Sequence, residues 1–199
     1  MLTFKVEKHF MQMDDDINKC LAVLHSGGII LYPTDTVWGI GCDATNEKAV
    51  EKIFTLKKRN EEKSMIILVA DEKEIVSYTN DPNAVIYDYI KGVHKPTTVI
   101  YDNAKNIAAN LINKDGSIAI RIVKDEFCCK LIKLFGKPIV STSSNISGFP
   151  PASFFEDIDM EIKNGVDYIV QHRQDDLTPS VPSSIIKIGD DGKIFIIRP

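Results

Sequence analysis

Residues 27–33 read Gly27-Gly28-Ile29-Ile30-Leu31-Tyr32-Pro33, four apolar residues between a glycine pair and a proline. The apolar run predicts a short buried strand over residues 29–32, which the proline ends. Apolar residues at helical spacing predict a preceding helix over residues 14–26, with acidic residues at its start and the glycines at its end. A helix that leads directly into a buried strand is typical of α/β proteins.

Helices and strands are mixed along the rest of the chain, with no long linker and no repeat. A polar loop is predicted over residues 33–43. Helical segments are predicted over 46–57, 72–78, 83–90 and 125–135, the last with Phe127, Leu131 and Leu134 on one face. Strands are predicted over 65–69, 98–101, 117–123, 138–141 and 168–171, followed by a hairpin of 184–188 and 193–197. We therefore expect one α/β domain over residues 1–199, an open, twisted, mixed sheet with flanking helices.

The bulk composition excludes several protein classes. The chain of 199 residues is 44% hydrophobic and 26% charged, which is ordinary for a globular domain, and no apolar run is long enough to span a membrane. No secretory signal is evident, and none of the four cysteines forms a C-x-x-C pair, so we expect a cytoplasmic protein without disulfides or a bound transition metal. The net charge of −4 argues against a basic surface that coats nucleic acid.

The loop after the first strand is the first candidate for binding. Thr34 and Thr36 offer hydroxyls at a strand end, where ligands gather in open α/β sheets. The same threonines could instead satisfy their own backbone in a turn. Gly39 and Gly41 would let backbone approach a ligand. They also form a loose dinucleotide fingerprint, but six residues separate them from the strand, which disfavours that interpretation.

A second candidate is the basic run at the end of the predicted helix 46–57. If the chain leaves the helix extended, Lys57 and Arg59 face the same side, and together with Lys63 they could hold a polyphosphate. Cations in the last turn of a helix also complement its dipole without any ligand.

The third candidate is Arg121. In residues 117–122 the isoleucines occupy one face of a strand, and Ser117, Ala119 and Arg121 occupy the other. An arginine in so apolar a strand needs an anion, because an unpaired buried charge is costly. A carboxylate ligand and a structural salt bridge are both open at this point.

Residues 141–148 are the fourth candidate, a serine-rich segment at another strand end. Extended geometry would place Ser141, Ser143 and Asn145 on one side, where small donors could bind phosphate and sugar oxygens. The same composition is also common in loops without a ligand.

Taken in this order, the segments resemble the YrdC-like threonylcarbamoyl-adenylate synthases. The resemblance runs from Gly27 to Pro199, and its most specific parts are residues 32–41, the K-x-R of Lys57 and Arg59, and the S-x-N of Ser143 and Asn145. It implies an open α/β fold with a deep, basic groove in a short, single-domain form.

The resemblance also implies functional roles by motif position. A catalytic tetrad for the nucleotide would consist of Lys57, Arg59, Ser143 and Asn145. Threonine would contact Thr36, Arg121, Ser141 and Ser183. The ATP side would be lined by Arg59, Lys63, Ser117, Ser143, Pro151 and Arg198.

Four segments depart from the usual pattern of that family. The chain has His94-Lys95-Pro96-Thr97-Thr98 in place of P-G-P-x-T, Lys63-Ser64-Met65 in place of K-P-L, and Pro182-Ser183-Ser184 in place of P-S-T, and it ends at Arg198-Pro199 where the family has R-P-G. The first two changes bear on groove shape and turnover.

The implied reaction joins L-threonine, bicarbonate and ATP into threonylcarbamoyl-AMP and pyrophosphate, for modification of tRNA. Mg²⁺ would be carried by the ATP, and the implied partners are the proteins that transfer the threonylcarbamoyl group to tRNA. Three alternatives stay open: a module that binds double-stranded RNA or tRNA through a patch such as Lys130, Lys133 and Lys137, a YciO-like relative without this activity, and a nicotinamide enzyme.

Overall fold

The computed structural model describes residues 2–59, 65–80, 84–179, 181–189 and 193–199. Five α-helices occur in these ranges: α1 (Leu2–His25), α2 (Glu47–Leu56), α3 (Ala84–Gly92), α4 (Glu126–Phe135) and α5 (Met160–Gly165). Two short 3₁₀ helices span Glu72–Ser77 and Ala109–Leu111. The strands of the described residues are β1 (Ile30–Tyr32), β2 (Gly39–Gly41), β3 (Ile66–Val69), β4 (Thr97–Tyr101), β5 (Ile118–Ile122), β6 (Ile139–Ser143), β7 (Tyr168–Ile169), β8 (Ser184–Ile188) and β9 (Ile194–Arg198).

The strands join into one mixed sheet in the order β7-β1-β2-β6-β3-β5-β4-β8-β9. Three pairs are parallel (β1 with β7, β3 with β5, β4 with β8) and the other five are antiparallel. The expected mixed α/β sheet with flanking helices is therefore confirmed. The order brings β2, β6, β3 and β5 side by side at the centre, although they are far apart in the sequence.

Helix α1 is longer than the predicted helix, which began at residue 14. The acidic run was interpreted as a helix start, but Asp16 is buried and serves a tertiary purpose. Its carboxylate accepts hydrogen bonds from the Tyr168 hydroxyl at 2.5 Å and from the backbone amides of Gln171 and His172 at 3.0 and 2.8 Å. The run thus lies within a helix, and Asp16 fixes the chain that follows β7.

Strand β2 lies in a segment predicted to be a loop. Its sequence, Gly39-Ile40-Gly41, has little intrinsic preference for a strand, and it forms because β1 and β6 pair with it on both sides. The Tyr32 ring explains Gly41: a Cβ added there would lie 2.6 Å from the ring and 2.7 Å from the Val140 carbonyl oxygen.

The inward face of α4 differs from the prediction by one position. Phe127, Cys128, Leu131, Ile132 and Phe135 are buried, whereas Leu134 is 57% exposed. The buried residues of α4 follow each other at spacings of three and four and include Cys128, so the buried face excludes Leu134, which points to solvent. Helix α5 was not predicted, because six residues carry too weak a periodic pattern.

The predicted hairpin at the C-terminus is formed by β8 and β9, which pair antiparallel. Its predicted turn includes residues 190–192, which lie outside the described residues. No helix in the described part of the chain has both the length and the apolar character that crossing a membrane requires.

Candidate active site

A cavity of about 330 Å³ opens on the face of the sheet that carries Ala119 and Arg121. It is walled by the central strands, by the loop after β1 and by the C-terminal hairpin. Eight of the residues predicted to form the tetrad, the threonine site or the ATP side line it together: Thr36, Arg59, Arg121, Ser141, Ser143, Pro151, Ser183 and Arg198.

The charged residues that the structure describes in the cavity wall are all cations. Arg59, Arg121 and Arg198 line it, and no aspartate or glutamate does so among the described residues. Burial lowers the pKa of Arg59 and, together with the charge of Arg121, that of Arg198. Both shifts mean that the positive charges are disfavoured where they stand, so an anion bound among them would be stabilised.

Arg121 is buried, with 3% of its side chain exposed. Its Nη2 lies 3.1 Å from Oδ1 of Asp35, but the angles do not make a hydrogen bond, and the Nε and Nη2 groups have no hydrogen-bond partner within the described residues. The structure therefore supports both interpretations of Arg121, the structural salt bridge and the ligand site. Asp35 supplies a counter-charge, and two donors are left for a carboxylate.

The two threonines of the loop after β1 have different roles. The Thr34 hydroxyl donates to the Val37 carbonyl at 2.8 Å and accepts from the Thr36 amide at 3.0 Å, so it stabilises the loop itself. Thr36 lines the cavity. Gly39 also lines it, but Gly41 is approached by Tyr32 rather than by a ligand. Since both glycines lie in a strand, the dinucleotide interpretation is wrong.

The wall opposite this loop comes from Ser183 and Arg198. The Ser183 hydroxyl is hydrogen-bonded to the Thr98 hydroxyl at 2.8 Å, and Arg198 Nε donates to the Ser183 carbonyl at 3.0 Å. Parallel pairing of β4 with β8 brings Thr98 and Ser183 together, although 85 residues separate them. Arg198 is thus held at the cavity by the strand pair β8 and β9.

Lys57 and Arg59 do not leave helix α2 in an extended conformation, so that expectation is wrong. Lys58 adopts a left-handed backbone with φ of 49°, and the Arg59 amide donates back to the Phe54 carbonyl. As a result Arg59 lines the cavity, whereas Lys57 is fully buried and is not part of the lining. Lys57 Nζ donates to the carbonyls of Ser143 and Asn145.

Asn145 contributes to the shape of the wall rather than to its lining. Its Nδ2 donates to the carbonyls of Ile146 and Phe149, while its Oδ1 is buried without a hydrogen-bond partner in the described residues. Ser143, at the end of β6, lines the cavity. The predicted S-x-N motif therefore divides into a lining residue and a residue that holds the following loop.

Two further predicted residues, Ser117 and Lys63, are not among the described residues that line the cavity. The Ser117 hydroxyl is 2.6 Å from the Asp115 carboxylate and 2.9 Å from Asn113 Nδ2, and Ser117 does not line the cavity, so its ATP role stays a prediction. Lys63 lies outside the described residues.

Asp35 and Thr98 were not singled out from the sequence. Both act through a partner distant in sequence, Arg121 and Ser183 respectively, and no local pattern announces such a contact. The only signal available was the need of Arg121 for an anion, which points to an acid without saying which one.

None of the cysteines lines the cavity. All four are free thiols, and burial raises the pKa of each. The described residues contain no group of three or more His, Cys, Asp or Glu side chains that could hold a metal ion. Of the lysines in the suggested RNA-binding patch, Lys130 pairs with Asp14 at 2.5 Å and Lys137 with Asp43 at 2.6 Å.

Comparison with known proteins identifies the family. A family model for Sua5, YciO and YrdC proteins, described as "Telomere recombination", matches residues 22–199. The chain belongs to this family. A relative in Photobacterium profundum, named threonylcarbamoyl-AMP synthase, is 33% identical over 163 residues, which cover 79% of this chain and 86% of the relative. A relative of the same name in Pseudoalteromonas translucida is 30% identical over 188 residues, or 93% and 99% of the two chains.

Solved structures of the Sua5/YciO/YrdC family share the fold. A P. abyssi Sua5 structure has a TM-score of 0.82 at 24% identity and covers 92% of this chain and 56% of its own. P. abyssi Sua5 complexed with L-threonine has a TM-score of 0.81 at 22% identity and covers 92% and 53%. E. coli YciO has a TM-score of 0.75 at 23% identity and covers 92% and 87%. The chain thus spans just over half the length of the Sua5 chains.

Proposed function

We propose that this chain is an L-threonylcarbamoyladenylate synthase, a nucleotidyltransferase that forms threonylcarbamoyl-AMP and pyrophosphate from L-threonine, bicarbonate and ATP. The observation that carries the proposal is the cavity in which three arginines and several hydroxyls converge without an acidic lining residue among those described. Two anionic substrates must be held together in this reaction, and the cations supply the attraction. The names of the curated relatives, threonylcarbamoyl-AMP synthase, agree with this chemistry.

The amino acid binds near Arg121 in this proposal. The unpartnered Nε and Nη2 donors of Arg121 take the threonine carboxylate, and the hydroxyls of Thr36, Ser141 and Ser183 surround the rest of the molecule. A site built to bond a substrate hydroxyl rejects aliphatic analogues that lack it, which accounts for a preference for threonine. The P. abyssi Sua5 complex with L-threonine supports an amino-acid site in this fold.

The nucleotide binds on the side of Arg59, Ser143, Pro151 and Arg198. The family resemblance adds Lys63, which lies outside the described residues. The threonine amine takes up bicarbonate to give a carbamate and water. A carbamate oxygen then bonds to the α-phosphorus of ATP, and the bond from that phosphorus to pyrophosphate breaks. The residues contribute by positioning the two anions and by neutralising their charge.

Mg²⁺ enters as part of the nucleotide substrate in this proposal. The described cavity lining offers cations and hydroxyls rather than carboxylates, and this donor set suits the phosphate oxygens rather than a magnesium ion held by the protein. The ion would neutralise the polyphosphate beside Arg59 and Arg198. The product would pass to proteins that transfer the threonylcarbamoyl group to tRNA, in the cytoplasm.

Pyrophosphate release from ATP tests the proposal. The wild-type chain is assayed with threonine and bicarbonate each omitted in turn, beside Arg59→Ala and, as a control, Lys133→Ala on the exposed side of α4. We expect release that requires both small substrates, is lost in Arg59→Ala and persists in Lys133→Ala. Release that does not depend on threonine, or no release from the wild type, would overturn the proposal and favour a YciO-like protein without this activity.

A further inference from the structure

We propose that Lys57 is a positioning residue, which holds the segment 143–147 against the end of helix α2 and does not touch the nucleotide. The inference rests on the proposed function only for the identity of the nucleotide. It assigns different roles to the two cations of the K-x-R motif.

The first support is that both ends of Lys57 bind the same segment. Its Nζ donates to the carbonyls of Ser143 and Asn145, the latter at 2.6 Å. Its own backbone carbonyl accepts a hydrogen bond from the Ser147 amide at 2.9 Å. These contacts therefore join one residue to both ends of a short segment that lies far later in the chain.

The second support is the burial of Lys57. Its relative exposure is 0%, and it is among the largest fully buried side chains of the described residues. Burial, with a smaller contribution from the charge of Arg59, lowers the Lys57 pKa to about 7. If the Lys57 amine left the Ser143 and Asn145 carbonyls to reach a phosphate, both carbonyls would be left buried without a donor. The free-energy cost of two unsatisfied carbonyls exceeds the gain from one new contact.

The third support is what the held segment does. Ser143 lines the cavity at one end of the segment, and Pro151 lines it a few residues further on. Between them the Asn145 amide bonds to the Phe149 carbonyl, so the segment is a compact wall of the cavity. By binding the carbonyls of Ser143 and Asn145, the Lys57 amine sets the position of this wall.

The test compares Lys57→Met, which keeps the volume and removes the donors, with Arg59→Met, which removes a cation of the lining. Hydrogen exchange of the peptide over residues 143–149 is followed without ligand. We expect exchange at the Ser147 amide to become at least tenfold faster in Lys57→Met and to stay unchanged in Arg59→Met. This arm needs no enzymatic activity, so it stands even where the wild type releases no pyrophosphate.

ATP binding, measured by calorimetry over a range of salt concentrations, gives the second readout. A cation that touches the polyphosphate contributes to the salt dependence of binding, so Arg59→Met should flatten it. Lys57→Met should weaken binding and leave the salt dependence as in the wild type. If Lys57→Met instead flattens the salt dependence and leaves exchange of the segment unchanged, Lys57 contacts the nucleotide and the inference is wrong.

A second variant guards against a failure to fold. Lys57→Gln keeps two N–H donors on a shorter side chain, so we expect segment exchange between that of the wild type and that of Lys57→Met. Exchange in Lys57→Gln equal to that of the wild type, together with a flattened salt dependence, would also overturn the inference.

Discussion

Arg121 carries a buried charge that costs folding free energy and also offers donors to a substrate. Its strand is apolar on one face, and its guanidinium is buried on the other with Asp35 as the neighbouring carboxylate. A salt bridge with poor geometry leaves hydrogen-bond donors unsatisfied, which costs folding free energy. A substrate carboxylate would recover that cost, so binding and stability are coupled at this residue.

Substituting glutamine for Arg121 or for Arg59 should affect the threonine side and the nucleotide side of the site separately. Arg121→Gln should raise the KM for threonine by about tenfold or more, because a charge-assisted hydrogen bond to a carboxylate is lost, and change the KM for ATP by less than about threefold. Arg59→Gln should show the opposite split. Steady-state kinetics with each substrate varied in turn make the measurement. An equal effect of both variants on both KM values would contradict the assignment.

The short strand β2 depends on close contacts with both of its neighbouring strands. Gly39-Ile40-Gly41 has no side chain at two of its three positions, so β1 and β6 can approach it and the Tyr32 ring can cross it. The Tyr32 hydroxyl donates to the Val140 carbonyl on β6 at 3.1 Å, which ties the three strands together. This layer carries Gly39 and Ser141 on the cavity side.

Gly41→Ala should therefore destabilise the protein by about 1–3 kcal/mol, since the new Cβ overlaps the Tyr32 ring and a backbone carbonyl. Gly92→Ala at the end of α3 is the matched control, because a Cβ there meets no atom within 4 Å. We expect that control to be neutral or stabilising by up to about 1 kcal/mol. Denaturant unfolding curves decide the matter, and equal effects of the two substitutions would refute the packing argument.

Buried titratable groups connect the site to the stability of the whole molecule. An unfolded lysine has its ordinary pKa of 10.5, whereas that of Lys57 in the folded chain is about 7. Between these values the unfolded state binds more protons, so the contribution of Lys57 makes the free energy of unfolding rise with pH and become level below pH 7.

The free energies of unfolding of the wild type and of Lys57→Met should accordingly diverge between about pH 7 and 9. The free energy of unfolding of the wild type should increase relative to that of the variant by up to about 1.4 kcal/mol per pH unit. Chemical denaturation at several pH values measures this difference. Cys20 and Cys42 have raised pKa values, so they lower the free energy of unfolding above the ordinary thiol pKa of 9.0. Both proteins contain these cysteines, so their contribution cancels when the variant is subtracted from the wild type. A difference that does not vary with pH would show that Lys57 has an ordinary pKa.

The sequence by itself determined most element types and most of the residues that meet at the cavity. Periods of two and of 3.6 residues are local properties, so the strand of Arg121 and the helix before Lys57 could be recognised without a structure. The requirement of a buried arginine for an anion is likewise a property of one residue in one strand.

Only the tertiary structure decided which of these groups face the cavity and which support it. The carbonyls of Ser143 and Asn145 receive the amine of Lys57, and residues 168–172 return to the buried carboxylate of Asp16 in the middle of α1. β2 became a strand because neighbours distant in sequence pair with it. The physical reason is common to these cases: hydrogen bonds and ion pairs between segments far apart in sequence leave no periodic trace in either segment, so only the folded arrangement determines them.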